Sequence, residues 1–423
     1  MRVQRTLPPS AAPIEWRDLV EGLVGLVRPR VTRDRLQAEF RAHFGVRHVW
    51  FVSSGKAALT LILRALHGLS PRRQVVVPGY TCFSVPSAVV RAGLSVRLCD
   101  VDPETFNFDG RHLEEVADSD VLCVLATHLL GIGVDVPRVA EICHRRGIFV
   151  VEDVAQGLGG ERDGKRFGTM GDVSFLSFGR GKNITCGSGG AILTNDDRIG
   201  EALAQEYAQL PDESLAGQLK NWLEVAATQF LINPSRYWFP AGLPFLKLGD
   251  TKFYTDFPLT RMDSVRAGLL RRWHTRLSRS TASRMAHADD LRRSISSHGQ
   301  TVRSEQGQAV YLRFPLLMRS RKEKDALCRI SAEQGLGISA MYPSAVGQIA
   351  ELSAVLASQH APQSMTIAER LVTLPTHELL SDADLGRLRA AVENIQADQA
   401  PDTNSSREAL GAHKHPPAMP RAH

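Results

Sequence analysis

The chain has 423 residues, 43% hydrophobic and 23% charged, a balance that excludes disordered, collagen-like and coiled-coil sequence and leaves room for two domains. A total of 51 Lys and Arg against 45 Asp and Glu gives a net charge of +6, a mild bias that suits phosphorylated small molecules as well as nucleic acid and selects neither. The cysteines Cys82, Cys99, Cys123, Cys143, Cys186 and Cys328 form no C-x-x-C pair, which reads as reduced, buried thiols and a cytoplasmic location. The N-terminal MRVQRTLPPSAAPIEW lacks the apolar core of a signal peptide, and no later apolar run is long enough to span a membrane.

From about residue 46, short β-branched apolar runs alternate with helical patterns, the signature of a mostly parallel sheet covered on both faces. HVWFV at 48–52 reads as a strand and GKAALTLILRALHGL as the helix after it. Further strands are expected at 74–78, 94–100 and 120–128. A helix over PRVAEICHRRG then ends at Gly147, where glycine can take a left-handed conformation. Strands at 148–153, 172–178 and 189–195 bring the total to seven. The rhythm stops after 195, a helical region runs to about 297, and a smaller α+β pattern follows: AVYLRFPLLM as a strand, KEKDALCRISAEQG and DADLGRLRAAVENI as helices. The expected division is an N-terminal extension at 1–30, a large domain at 31–255, a small C-terminal α+β domain at 256–396 and a disordered tail at 397–423.

Three features of the large domain fall beyond strand carboxyl ends, where an open α/β sheet binds its ligand. Strand 148–153 ends in Asp153, with Gln156 three residues on; a buried carboxylate there suits a cationic ring nitrogen. SFLSFGRGKNI puts Ser177 at a strand end and Lys182 in a glycine-bounded turn, where partial burial favours a nucleophilic amine. FVSSGKAAL opens a helix at Ser53, Ser54 and Gly55, whose free amides and positive dipole end suit a phosphate. Taken singly, each has a blander reading as a surface lysine or a helix cap. Together, carboxylate, lysine and phosphate cup are the three handles of pyridoxal 5′-phosphate (PLP).

From about residue 30 to 395 the chain resembles the DegT/StrS family of fold type I, PLP-dependent sugar aminotransferases. The resemblance rests on SSGKAAL, PGYTCFSVPSAVVRAGLSVRLCDVDPETFNFD, THLLG, VVEDVAQGLGG, GDVSFLSFGRGKNITCGSGGAILTND, YPSAV and LPTHELLSDADL. It implies a large domain built on a mostly parallel seven-stranded sheet. It also implies a Schiff-base lysine at Lys182, Asp153 on the pyridine nitrogen, Gln156 near the ring, and Ser177 with the Gly55 and Lys56 backbone on the phosphate. An amino-acid donor, a keto-sugar acceptor and a homodimer follow from the same resemblance. His128 of THLLG, Arg261 and Tyr342 are candidate substrate contacts, the first with a structural alternative as a hydrogen-bonded strand-end histidine.

The chain departs from the family pattern at several positions. Lys56 replaces the usual Thr, and its amine either reaches the phosphate or points to solvent. Cys82 stands where an aromatic often stacks on the ring, so either Cys82 packs there or Phe83 or Tyr80 moves in. Gly187-Ser188-Gly189-Gly190 replaces Gly-Glu-Gly-Gly, and Leu259-Thr260-Arg261-Met262 replaces Asn-x-Arg-Met. PLP-dependent sugar dehydratases of this fold carry histidine at the lysine position, whereas this chain keeps Lys182; a catalytically silent PLP-binding protein is the other alternative. Phosphate-loop and dinucleotide glycine patterns both fail. No metal site is expected, and the nine arginines between 261 and 293 read as a solvated helix face, with binding of a sugar-nucleotide diphosphate near the dimer interface as the alternative and nucleic acid a distant third. The apolar insertion at 205–255, with Trp222, Phe230, Trp238, Phe239, Phe245 and Leu246, reads as a lid or subunit interface, with membrane-surface contact as the alternative.

Overall fold

The computed structural model describes residues 5–243, 251–295, 299–302, 304 and 307–397. The seven expected strands form one sheet: β1 (His48–Val52), β2 (Gln74–Pro78), β3 (Ser95–Cys99), β4 (Val121–Thr127), β5 (Phe149–Asp153), β6 (Val173–Ser177) and β7 (Gly190–Thr194). Their spatial order is β1-β7-β6-β5-β4-β2-β3. Every pair from β6 across to β3 is parallel. Strand β7 is antiparallel to both neighbours, so β1 again runs with the rest. All seven residues of β4 are buried, which explains why the central strands read as continuous apolar runs: helices cover both faces.

Helix α1 spans Trp16–Val27, α2 Pro29–Phe44, α3 Gly55–Leu69, α4 Ser84–Arg91, α5 Val136–His144, α6 Asp197–Ala208 and α7 Leu215–Leu231. One face of the sheet packs on α3, α4 and α6 through Leu59, Ile62, Leu66, Val89 and Leu203. On the opposite face α2 contributes Phe40, with Leu176 and Leu193 of the sheet in the same cluster. The start of α3 follows from its cap: the extended Ser54 accepts a hydrogen bond from the Ala57 amide at 3.1 Å, stopping the backbone of β1 and opening a helix one residue later.

The expected basic helix is two helices, α8 (Ser264–Leu269) and α9 (Trp273–Ile295). Gly25 of α1 lets α8 approach closely, since a Cβ there would sit 2.1 Å from the Ser264 carbonyl oxygen. Trp273 and Leu277 at the start of α9 belong to the core cluster around Phe40, whereas Ala288, Leu291 and Ile295 at its end belong to a second cluster that also holds Tyr80, Leu129 and Leu130. The change of cluster therefore falls inside α9. The basic face is also not simply solvated. Arg284 is buried and donates to the Leu312 and Ala11 carbonyls; Arg276 is buried on Leu269 and Thr185; Arg272 pairs with Glu15 at 2.6 Å.

The second cluster includes residues of an antiparallel sheet of β8 (Gln300–Thr301), β9 (Arg313–Leu317) and β10 (Leu371–Pro375). Helices α10 (Arg321–Gln334), α11 (Pro362–Arg370) and α12 (Asp382–Ala397) supply Leu327, Ile367 and Leu388 to it. The N-terminal extension is tied down here: Leu7 bonds Gly335, the Pro8 carbonyl accepts from His377, and Ser10 Oγ donates to the Gly181 carbonyl at 2.9 Å.

Helix α7 of the insertion lies on α1, with Trp222 Nε1 donating to the Leu19 carbonyl. Yet Leu215, Leu223 and Phe230 are each more than 60% exposed, as are Trp16 and Val27 of α1, so one chain leaves this apolar surface uncovered. Phe245, Leu246 and the expected tail beyond Ala397 lie outside the described residues. Among the described residues no helix is long and apolar enough to cross a membrane.

Candidate active site

The carboxyl ends of β1, β2, β5 and β6 face one cavity of about 140 Å³, lined by Gly55, Lys56, Cys82, Asp153, Gln156, Ser177 and Lys182 together with Ser54, Ser84 and Val85. Every residue expected at the cofactor therefore lines the same space. Gly55 is required by close approach: a Cβ on it would meet Ser177 Cβ at 2.9 Å and Oγ at 3.1 Å. Its amide and that of Lys56 lie in the first turn of α3, where no intrahelical acceptor exists, so with the Ser177 hydroxyl they form a cup with a positive dipole end.

Asp153 and Lys182 titrate against their environment. Burial pushes the Asp153 carboxyl above its usual range, against the opposing pull of the Ala155 amide and the Lys182 charge; Oδ1 accepts from that amide at 2.9 Å. Burial pushes the Lys182 amine down, while Cys82 and Asp153 act in the other direction. An amine whose pKa falls toward neutrality is a nucleophile and a proton acceptor. Gly181, with φ +73°, makes the turn that carries Lys182 past Ser10.

Gln156 joins the cavity to two other elements. Its Oε1 accepts from the Leu130 amide at 3.0 Å and its Nε2 donates to the Tyr342 hydroxyl at 2.6 Å. Leu130 takes a left-handed conformation, φ +57°, a strained geometry for a branched residue that presents its amide to Gln156. Tyr342, from the C-terminal part of the chain, is buried against Tyr80 with ring centroids 5.4 Å apart, and burial with neighbouring Cys82 keeps its phenol protonated.

Two expected substrate residues stand elsewhere in the chain. His128 is buried, its ring stacked on Phe167 at 4.0 Å. Nδ1 accepts from the Val134 amide and Nε2 faces Glu152 at 2.8 Å, so both nitrogens are committed and the structural alternative describes it. Arg261 turns to the C-terminal carbonyls of α6, bonding Ala208 at 2.9 Å, and does not line the cavity. Of the aromatic alternatives, Phe83 packs in the sheet core and Tyr80 bonds the Ala340 carbonyl, leaving Cys82 itself on the wall. Lys56 takes neither expected course: its ammonium lies 3.5 Å from the Tyr254 ring centroid and 4.8 Å from that of Phe257, a cation–π arrangement. Arg313 also acts on the site, its charge depressing the Lys182 amine; its one sequence signal is an arginine inside the apolar run AVYLRFPLLM.

The fold and this cavity define a fold type I transferase, with the lysine turn, the strand-end carboxylate and the helix cup on one edge of the sheet. The family model for the DegT/DnrJ/EryC1/StrS aminotransferase family matches residues 29–229 and 249–393, and the chain belongs to that family. It is 28% identical over 197 residues to a GDP-perosamine synthase of Vibrio cholerae, a match over 47% of this chain and 52%, about half, of that relative's length. It is 24% identical over 370 residues to a dTDP-3-amino-3,4,6-trideoxy-α-D-glucose transaminase of Micromonospora megalomicea, covering 86% of this chain and 89% of that one. A Helicobacter pylori aminotransferase involved in the biosynthesis of pseudoaminic acid superposes with a TM-score of 0.76 at 14% identity, over 93% of this chain and all of that one; at that identity the match shows the fold.

Proposed function

We propose that the protein is a PLP-dependent aminotransferase that moves an amino group from an amino-acid donor, glutamate in this reading, to a keto sugar carried on a nucleotide. The observation that carries the proposal is the single cavity lined by Lys182, Asp153 and the Gly55–Ser177 cup. Its donor set fits the cofactor: first-turn amides and a hydroxyl where a phosphate needs them, a space that a Cβ at residue 55 would fill, and a carboxylate across the cavity. The transaminase name of one relative and the aminotransferase title of the structural neighbour support the reaction class; the nucleotide-linked products in the relatives' names support the acceptor class.

When bound, the cofactor supplies the carbon that takes the amine and a ring that accepts electrons from the donor's Cα. Asp153 would hold the ring nitrogen's proton, and its raised affinity for a proton makes a cationic partner stabilising there. Lys182 Nζ would take and return the proton of the donor's Cα, and burial, which lowers the amine's pKa, favours its neutral, basic form. Gln156, fixed by Leu130 and Tyr342, would border the ring, and the half-buried Cys82 would pack on it as a small apolar group.

The test is Lys182→Ala, reconstituted with PLP. Loss of both the visible band of lysine-bound cofactor and turnover is expected; normal activity sinks the assignment. Incubating the wild-type holoenzyme with glutamate separates the alternatives: a shift of the spectrum to the aminated cofactor supports transfer, and an unchanged spectrum supports a silent binder. A screen of nucleotide-linked keto sugars with ¹⁵N-glutamate, read by mass spectrometry, identifies the acceptor.

In this reading the active form is a homodimer whose interface covers the exposed faces of α1 and α7, with 31–255 as the PLP-binding portion. Sedimentation velocity showing only monomer at micromolar concentration removes that part, and liposome flotation tests the membrane alternative.

A further inference from the structure

Lys56 is the second residue of α3 and lines the cavity. A cation in the first turn faces the positive end of the helix dipole, so its placement is unfavourable until an anion joins it. The ammonium sits in a corner of two rings that meet nearly at right angles. Tyr254 and Phe257 have centroids 6.3 Å apart and an interplanar angle of 86°, and Nζ lies 3.5 Å from the first centroid and 4.8 Å from the second. The segment carrying the rings is tied to the cavity rim: the Tyr254 amide donates to Ser87 Oγ of α4, and Ser53 Oγ donates to the Pro258 carbonyl, each at 3.2 Å. Phe257 is buried whereas Tyr254 is 48% exposed, so the corner opens to solvent on the Tyr254 side. Arg91, at the end of α4, approaches the same Phe257 ring at 5.9 Å. Among the described residues neither Lys56 nor Arg91 has a hydrogen bond or a carboxylate within 4.0 Å. Ring faces attract an ammonium but leave its N–H donors without oxygen acceptors. Two cations on one aromatic platform, with no counter-charge, favour an anion carrying more than one charge.

We infer that Lys56, seated on Tyr254 and Phe257, binds the diphosphate of a nucleotide-linked acceptor, with Arg91 adding charge to the same rim. The inference rests on the aminotransferase reading above for the class of acceptor and adds the residues that select it. The cofactor's phosphate has its own donors in the Gly55–Ser177 cup, and the corner opens to solvent, from which the acceptor comes. The arginines of α9 do not compete for the role: Arg272 and Arg279 pair with Glu15, and Arg276 and Arg284 are buried on backbone carbonyls. Tyr254 and Phe257 are positioning residues. By confining the lysine stem before the ligand arrives, they lower the side-chain entropy that binding would otherwise cost.

The test uses PLP-loaded wild type, Lys56→Gln, Lys56→Arg and Tyr254→Leu, titrated calorimetrically with UDP, dTDP and GDP and, as controls, with uridine, thymidine and guanosine. For whichever diphosphate binds wild type, Lys56→Gln is expected to weaken it about tenfold or more, the range for a charge-assisted hydrogen bond. Lys56→Arg, which keeps the charge, should recover most of that loss, and Tyr254→Leu, which removes one ring, should fall between. The nucleosides should bind all four proteins alike. The gap between wild type and Lys56→Gln should close at about 1 M salt, where the Debye length is about 3 Å; a purely structural effect would persist. The Kd of the ligand-free proteins for PLP, read from the visible band, should be the same in wild type and Lys56→Gln. Should the glutamine variant not unfold cooperatively, Lys56→Met, which keeps the stem, takes its place. Equal diphosphate affinity in wild type and Lys56→Gln overturns the inference, and so does a loss confined to PLP, which would assign the ammonium to the cofactor. If wild type binds none of the three diphosphates, the inference falls together with the nucleotide-linked acceptor, while a visible band with PLP leaves the aminotransferase reading standing. Absence of that band removes the reading itself.

Discussion

Gly55→Ala separates cofactor affinity from folding. The added Cβ would sit 2.9 Å from Ser177 Cβ, and no rotation of the serine side chain moves that atom. Ser177 is held in register opposite Gly190 by β7, so the N-terminus of α3 must retreat by about half an ångström to restore van der Waals contact. Overpacking of this kind costs about 1–3 kcal/mol, offset by about 0.5–1 kcal/mol from replacing a helical glycine, so the net loss of stability is about 0–2.5 kcal/mol. The retreat pulls the first-turn amides from the phosphate position. Losing one charge-assisted hydrogen bond is worth about 1.5–3 kcal/mol, a Kd for PLP raised about ten- to hundredfold. Ligand-free protein titrated with PLP and followed by the visible band measures this. Pyridoxal, lacking the phosphate, is the control and should bind both proteins alike. An unchanged PLP affinity in Gly55→Ala, with the fold intact by circular dichroism, refutes the cup.

Glu152→Gln tests the other carboxylate of β5. Glu152 accepts from the Gly168, Met170 and Gly171 amides and faces His128, so a carboxamide nitrogen in place of either oxygen leaves two donors unpaired, at about 1–3 kcal/mol each; urea unfolding should show a loss of about 2–6 kcal/mol. Although burial raises the Glu152 carboxyl, these donors leave it below its usual range. Its contribution is therefore present above the unfolded carboxylate pKa and lost as pH falls through the lower folded value, so the gap between wild type and variant should narrow in acid; a gap constant with pH refutes the charge. Asp153→Asn should do the opposite. Because the folded pKa is raised, wild-type ligand-free protein loses stability as pH rises through that value, and the asparagine variant, with no charge to desolvate, should lack that slope in thermal melts while losing transaminase turnover. A slope identical in both proteins shows that Asp153 is not the group responsible.

The strands were legible because each central one is buried on both faces and so reads as an unbroken apolar run, as VLCVLAT does in β4. The direction of β7 was not: GGAILTN has the same pattern whichever way it runs, and only pairing with β1 and β6 decides it. Asp153 and Gly55 could be read because one ends a strand and the other opens a helix, and Lys182 because glycines bound its turn. The fates of His128, Lys56 and Arg261 depend on partners far away in sequence: Phe167 and Glu152, Tyr254 and Phe257, and the end of α6. Arg313 was invisible for a related reason. An arginine in an apolar strand can salt-bridge, reach solvent or wait for a ligand, and the sequence does not say which.

The consecutive carboxylates of β5 show how one strand serves fold and chemistry at once. Successive side chains of a strand point to opposite faces, so Glu152 and Asp153 cannot share an environment. Glu152 is turned to the loop around Gly168, where three amides and an imidazole stabilise its charge and hold the strand end against that loop. Asp153 is turned to the cavity, where a single amide meets one of its oxygens and burial dominates. The first is an anion with its donors built in, and its pKa falls. The second is an anion short of donors, and its pKa rises, so it gains most from a cation brought to it. An under-compensated carboxylate near one depressed lysine describes a site whose electrostatics a cationic ligand group would complete, as the proposed function requires at Asp153.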